Sequence, residues 1–296
     1  MSIGAGTAIP PTAGCQNGGV TTPAGTRVNR HGAGRERIIM EFHLLGPVEA
    51  WADGRETALR STKARCVLAV LLRTPGALVP TDTLVDRVWG DRLPGSSVRY
   101  KYIGWLRSAL APHGVELISR NGGYVLDVDP AHVDLHRFRR ALRSASGALR
   151  ECTFEEAIRL IEQGLAEWRG PAVAGLPGSW FELFRGQLER ERRDARVFLA
   201  RCLLDLDRPA AAVARLTEWE GDYPHDDEIV GLRVLALYRC GQHGEAAACY
   251  KRAEARMRDS LGTVPSAGLQ ALRLRVQARD TALDTERLLD RAALPG

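Results

Sequence analysis

The sequence predicts a mainly helical chain in which an α+β domain is followed by an all-α one. Three observations carry this. Short alternating apolar runs between Met40 and Pro130 alternate with helical stripes, a Gly-rich hairpin signature closes that region, and from Val133 onward the strand signals give way to a helical pattern that recurs after 34 residues.

The 296 residues suit about two domains, and 45% hydrophobic with 26% charged residues is an ordinary globular balance. No stretch approaches the ~18 uncharged apolar residues of a membrane span, so a soluble chain without a membrane partner is expected. The opening 1–39 is rich in Gly, Ala, Thr and Pro and lacks the apolar run of a secretory signal. It reads as a disordered tail, or as residues upstream of a true start at Met40. Six scattered cysteines, with no C-x-x-C pair, read as free thiols in a reducing compartment.

In "MEFHLLGPVEAWADGRETAL" a break at Gly46-Pro47 and a turn at Asp53-Gly54 predict a meander of short strands. "STKARCVLAVLLRTPG" predicts a helix capped by Ser61, striped by Val67, Val70 and Leu71, and ended by Pro75-Gly76. "TDTLVDRVWG" predicts a shorter helix capped by Thr81 and stopped by Gly90. "SVRYKYIGWLRSAL", Ser97 to Leu110, predicts a third. On its wheel Ile103, Leu106 and Leu110 share one side, while Ser97, Lys101, Trp105 and Ser108 share the other. Arg99 falls on the apolar side and has to reach out from the first turn. "VELISRNGGYVLDV" then places two alternating runs around Arg120-Asn121-Gly122-Gly123, a hairpin with a basic tip.

Charge distribution sharpens the reading. The net charge is +5, a weak pointer to a polyanion. From Met40 to Pro130 eleven Lys/Arg nearly balance ten Asp/Glu, yet from Gly95 to Tyr124 four bases face one acid, Glu116. Three helices followed by a hairpin describe a winged helix, whose third helix enters the major groove while the hairpin reaches the flanking backbone or minor groove. A merely solvated polar face is the alternative for the third helix.

Beyond Val133, Ala212, Leu216, Trp219 and Pro224 stand at tetratricopeptide-type spacing, and adding 34 to each gives Ala246, Tyr250, Ala253 and Arg258, three of which fit. Ala157 and Ile161 in "FEEAIRLIEQGLAEW" have the same offset but lie 55 positions before the next unit, which predicts a 21-residue insertion around "RGPAVAGLPGSWFE". Stacked helix pairs form a concave surface suited to proteins or peptides; an inert dimerisation block is the alternative. The tail 280–296 is weakly amphipathic and is expected to fray.

The segments "EFHLLGPVEAWADGRETAL", "LVPTDTLVDRVWGDRLPGSSVRYKYIGWLRSAL" and "GGYVLDVDPAHVDLHRF" resemble the SARP family, the actinobacterial antibiotic regulatory proteins, and the likeness runs from Met40 to about Arg279. The resemblance implies an OmpR-type winged helix-turn-helix over 40–130 and a tetratricopeptide-like bacterial transcriptional activation domain over 131–279. It further implies a cytoplasmic, nucleoid-associated activator of an antibiotic or specialised-metabolite gene cluster. Its partners would be repeats in double-stranded promoter DNA and RNA polymerase holoenzyme, with a second copy of the chain as a further candidate. A helical-repeat adaptor whose winged helix does not bind DNA is the rival.

On the DNA-binding reading, Lys101 and Trp105 contact base edges or thymine methyls, with Ser97 on the same face. Tyr102 and Arg107 reach phosphates from the flanks, Arg99 is a further candidate contact from the first turn, and Arg120 and Asn121 act from the wing. Lys63 and Arg65 are either backbone contacts or plain surface charge. No G-x-x-x-x-G-K-[ST] or G-x-G-x-x-G occurs, so no enzyme activity and no cofactor are expected, nor is dependence on nucleotide or on receiver-type phosphorylation. His132 and His136 lie one helical turn apart without a third ligand and read as surface histidines at a helix start, not a metal site.

Overall fold

The computed structural model describes residues 40–90 and 95–289. The segment 1–39 and Cys15 lie outside the described residues, as do residues 290–296 of the expected tail. Within them the chain is mainly helical with two small sheets.

The first sheet is an antiparallel meander of β1 (Met40–His43), β2 (Glu49–Ala52) and β3 (Arg55–Glu56). Asp53 and Gly54 turn between β2 and β3 with φ of 50° and 73°. Helix α1 (Thr62–Leu72) starts where the Ser61 hydroxyl accepts the Ala64 N–H at 3.1 Å, as the sequence predicts. Its burial is broader than the predicted stripe, since every residue from Cys66 to Leu72 is in the core.

The two residues of β4 (Val79–Pro80) lead into α2 (Thr81–Trp89). Thr81 is not the predicted cap of α2. It is the first helical residue, no side chain caps this end, and its N–H goes to the carbonyl of Gly122 at 2.8 Å, fastening α2 to the hairpin turn. Helix α3 (Ser96–Leu110) buries Ile103, Leu106 and Leu110, the three residues the wheel groups. Strands β5 (Glu116–Arg120) and β6 (Gly123–Asp127) form the expected hairpin, and β4 adds to it in the order β4-β6-β5.

The remainder comprises α4 (Asp134–Arg150), α5 (Phe154–Leu165), α6 (Ser179–Asp205), α7 (Pro209–Trp219), α8 (Asp227–Arg239), α9 (His243–Leu261), α10 (Ala267–Gln277) and α11 (Ala282–Thr285). The periodic residues Ala157, Ile161, Ala212, Leu216, Trp219, Ala246, Tyr250 and Ala253 are all buried on α5, α7 and α9. Each of these helices is followed by a partner: α6, α8 and α10. The extra length of the first pair lies mostly in α6, which has 27 residues against 13 in α8, and only partly in the loop 166–178 where the sequence places it.

The C-terminal segment through Leu289 does not fray as expected. Leu283 is fully buried, Arg239 donates to the carbonyls of Leu283 and Glu286 at 2.8 and 2.6 Å, and the Asp205 carboxylate accepts the N–H groups of Leu288 and Leu289 at 2.8 and 3.1 Å.

The two parts of the chain are joined through a buried carboxylate. Asp134, fully buried at the start of α4, accepts the N–H of Leu44 at 2.8 and 2.9 Å, of Leu45 at 3.0 Å and of Leu135 at 2.6 Å. His43 and Arg169 stand 3.6 and 3.8 Å from it. Around it the N–H groups of Arg169, Val173 and Ala174 donate to the carbonyls of Leu45, Leu44 and Gly46. Nearby, Arg73 and Arg87 lie over the rings of Phe184 and Trp180. A backbone loop of the first part and the 169–174 strip of the second thus satisfy each other's polar groups, as buried main chain must.

Candidate nucleic-acid interface

The outward side of α3 is set by what its inward side buries. With Ile103, Leu106 and Leu110 in the core, Ser97, Lys101 and Ser108 are exposed along the opposite face, and Gly104 stands among them at helical spacing. A Cβ at Gly104 would meet nothing within 4 Å. No neighbour within the protein requires this glycine, and in a helix interior it is a liability relative to alanine. What it provides is a shallow point at the centre of the exposed face, where another molecule's backbone can come close.

The two flanks of that face are built differently. Toward α2, Trp89, Tyr102 and Trp105 form a row with ring centroids 5.9 and 5.4 Å apart. Lys101 Nζ lies 4.6 Å over Trp105 at one end, and Lys63 Nζ lies 5.8 Å over Trp89 at the other. Tyr102 is therefore the middle of an aromatic row, and Trp89 completes it from a separate helix. Toward the hairpin, Arg107 donates through Nε to the carbonyl of Leu117 at 2.8 Å and through Nη2 to Ser119 Oγ at 2.7 Å. Arg107 is thereby a strut that fixes β5 against α3 while remaining exposed on that flank.

Two expectations change. Lys63 Nζ donates to the carbonyl of Val88 at 2.5 Å, so it neutralises the C-terminal end of α2 and is neither plain surface charge nor a free cation. Arg99 reaches out from the first turn only as far as its tyrosine neighbours. It lies over the Tyr100 ring at 5.1 Å, and although burial pushes its guanidinium down, hydrogen bonds to Tyr100 and Tyr124 hold it above the ordinary arginine value. Arg65 is half-buried, its Nε without a hydrogen-bond partner. Tyr100 is 59% exposed beside Lys101 and joins the face, although the sequence reading left it out.

The hairpin tip is shaped by its turn. Asn121 and Gly122 adopt φ of 31° and 81°, the left-handed pair that a two-residue hairpin turn requires, so Arg120 and Asn121 project exposed at the end of the hairpin. Gly123 is required by a close approach: a Cβ there would stand 2.4 Å from the carbonyl oxygen of Val79, across the β4–β6 pair. The structure thus gathers Ser97 and Lys101 on one face of α3, with Trp105 and Tyr102 on its flank toward α2, and sets Arg120 and Asn121 at the tip of the hairpin that Arg107 fixes to the same helix. Lys63 and Arg65 belong to the supporting helix behind them.

Other sites the sequence raises carry no such arrangement. Among the described residues no three His, Cys, Asp or Glu side chains group to hold a metal. His136 is not a surface histidine: its Nε2 lies 2.9 Å from the carbonyl of Leu72, and burial pushes its pKa down from 6.5. Cys66, Cys202, Cys240 and Cys249 form no disulfide, and burial raises the thiols of Cys66 and Cys202 to about 11 and 12, which favours their protonated form. No described helix is long and apolar enough to cross a membrane.

A mainly helical chain of this architecture, with an exposed basic and aromatic helix beside a hairpin, matches known regulators. The sequence profile described as "Bacterial transcriptional activator domain" fits residues 133–277. The chain belongs to the SARP family of transcriptional regulators. The transcriptional regulator RedD of Streptomyces coelicolor is 31% identical over 262 residues, covering 82% of this chain and 72% of RedD. The regulatory protein AfsR of the same organism is 33% identical over 272 residues, covering 90% of this chain but only 27% of AfsR, so this chain spans about a quarter of that relative. The structure of Mycobacterium tuberculosis EmbR in complex with a low affinity phosphopeptide superposes with a TM-score of 0.75 at 26% identity, covering 86% of this chain and 67% of EmbR.

Proposed function

We propose that this chain is a sequence-specific activator that binds double-stranded promoter DNA through a winged helix formed by residues 40–130. Helix α3 lies in the major groove, with Ser97, Lys101 and Trp105 at base edges and Gly104 allowing close approach, while Arg120 and Asn121 at the hairpin tip meet the flanking backbone or minor groove. The observation that carries this reading is the exposed α3 face itself: a cation and aromatic rings surround an unobstructed glycine, in a region where four bases face one acid. Such a face costs solubility if it meets only water, and it has the chemistry of groove recognition.

Residues 131–279 act as a tetratricopeptide-like repeat domain that presents a surface to RNA polymerase holoenzyme. Membership of the SARP family alongside RedD and AfsR, both regulators from Streptomyces coelicolor, favours a specialised-metabolite cluster as the target. The relatives are named as regulators and none as an enzyme, in keeping with a non-enzymatic cytoplasmic protein that works at the nucleoid, as one copy or two on a repeat.

Fluorescence anisotropy with the full chain tests the proposal. Binding to its cluster's promoter should fall steeply as salt rises from 50 to 200 mM, because phosphate contacts release counterions. Lys101→Ala should weaken the promoter by roughly 1–3 kcal/mol and random duplex by less. Equal affinity for promoter and random duplex, or binding indifferent to salt, would refute it.

A further inference from the structure

We propose that an acidic segment of RNA polymerase holoenzyme, carrying a large apolar side chain, docks on the outer face of α6 where that helix meets α1 and α2. The contact presupposes the proposed activator role.

The face has an apolar anchor that the fold does not use. Trp180, Leu183 and Arg190 line one side of α6 at helical spacing. Trp180 is half-buried and stacked on the core residue Phe184 with ring centroids 5.0 Å apart. Leu183 is 74% exposed, more than any other large apolar side chain among the described residues. A fixed tryptophan beside an open leucine is the kind of surface on which protein contacts concentrate their energy. A Cβ at Gly186, on the same side of the helix, would meet only the end of the Arg190 side chain, 3.7 Å from Nη1, so a partner's backbone can come close.

The charges around this anchor have one sign. Arg87 lies over the Trp180 ring at 5.2 Å, Arg73 lies over the Phe184 ring at 5.9 Å, and Arg190 is exposed. None of the three has a carboxylate partner among the described residues, whereas Arg137, Arg139 and Arg193 on α4 and α6 are each paired. Burial, together with Arg73, holds the Arg87 guanidinium below the ordinary arginine value, and Asp86 offsets this only in part. Glu191 is taken by Arg139 at 2.8 Å and by Gln187 at 3.1 Å, and Glu182 points about 100° round the helix from Leu183. Partly desolvated guanidiniums without acids favour an incoming carboxylate, which they can hold by charge-assisted pairs.

Acidic residues set around a leucine or an aromatic ring satisfy both features, whereas a phosphate backbone would leave Leu183 in water. The position also suits a partner that binds together with DNA. Arg87 and Trp89 stand about 200° apart on α2, so Arg87 faces α6 while Trp89 faces α3. A segment seated on α6 therefore leaves the α3 face free.

Thermophoresis of the labelled full chain titrated with purified holoenzyme tests this, with promoter affinity measured in parallel. Leu183→Asp should lower holoenzyme affinity about tenfold or more and Arg190→Glu about threefold or more, while both bind promoter within about twofold of the unmodified chain. Both residues are exposed, so neither change disturbs the core. Arg150→Glu, the same charge reversal at the exposed end of α4, should leave both affinities within about twofold. Holoenzyme binding that neither α6 variant reduces would overturn this face and leave the activator role standing, as would an equal loss from Arg150→Glu. Loss of promoter binding by Leu183→Asp would overturn it by placing the face on DNA. An unmodified chain that does not bind holoenzyme at micromolar concentration would overturn the contact and the polymerase partner together.

Discussion

Replacing Asp134 by alanine should weaken the join between the two parts of the chain. The carboxylate is fully buried and takes the N–H groups of Leu44 and Leu45, 90 and 89 positions away, together with that of Leu135. Alanine leaves three main-chain donors without this acceptor in a place water does not reach. A buried donor left unsatisfied costs about 1–3 kcal/mol, so the two long-range donors alone imply a loss of about 2–6 kcal/mol. Arg169 adds little to this total, since it is 35% exposed and its pairing is screened. Such a loss is comparable with the whole stability of a small domain. Because the lost contacts bridge the two parts, the single cooperative urea transition expected of the unmodified chain should separate into two. Tryptophan fluorescence and far-ultraviolet circular dichroism would then cease to coincide. Asp134→Asn keeps one oxygen and should lie between. A loss below about 1 kcal/mol with coincident transitions would refute the assignment of Asp134 as the join.

Three more outcomes follow from particular contacts. Arg107→Ala should leave the core intact but free the hairpin, seen as faster amide exchange in β5 and β6 and weaker binding to promoter and random DNA alike, whereas Arg107→Lys should restore little because a lysine cannot reach Leu117 and Ser119 in fork geometry. Gly104→Glu should fold and be at least as stable as the unmodified chain, since a Cβ there meets nothing within 4 Å and a mid-helix glycine is itself unfavourable, yet lower DNA affinity at least tenfold by placing an anion on the exposed face. Burial lowers the folded-state pKa of His136, so the unfolded chain binds the proton first. His136 then contributes stability that is present above about pH 6.5 and lost as pH falls below it, and His136→Gln should flatten urea midpoints measured between pH 7.5 and 5.5.

The elements set by local pattern were legible in the sequence. The Ile103, Leu106 and Leu110 stripe, the Ser61 cap and the Asn121-Gly122 turn each depend on residues within one helix or hairpin, and the structure repeats them. The 34-residue offset likewise located buried positions on α7 and α9, because repeat packing imposes its own period. What escaped depends on distant partners. Thr81 resembles a cap, but the neighbouring hairpin claims its N–H. Arg107 and Lys63 look like free cations until β5 and α2 are folded against them. Trp89 joins Tyr102 and Trp105 only through the packing of α2 on α3. His136 and the segment through Leu289 appeared solvent-facing because their partners, Leu72 and Asp205, lie 64 and more than 80 positions away. Gly104 did carry a local signal, a glycine in mid-helix on the polar side, and that signal alone would have marked the centre of the face.

On the proposed function, α3 and the hairpin tip are the surfaces that touch DNA. Site-specific photocrosslinking reads this directly, with p-benzoylphenylalanine placed singly at Ser97, Ser108, Asn121 and, as a control, at Leu183, which is 74% exposed on α6. On promoter duplex, Ser97 and Ser108 should crosslink within the recognised repeat, Asn121 to the sequence beside it, and Leu183 not at all. Crosslinking from Leu183 with silence at Ser97 and Ser108 would contradict it.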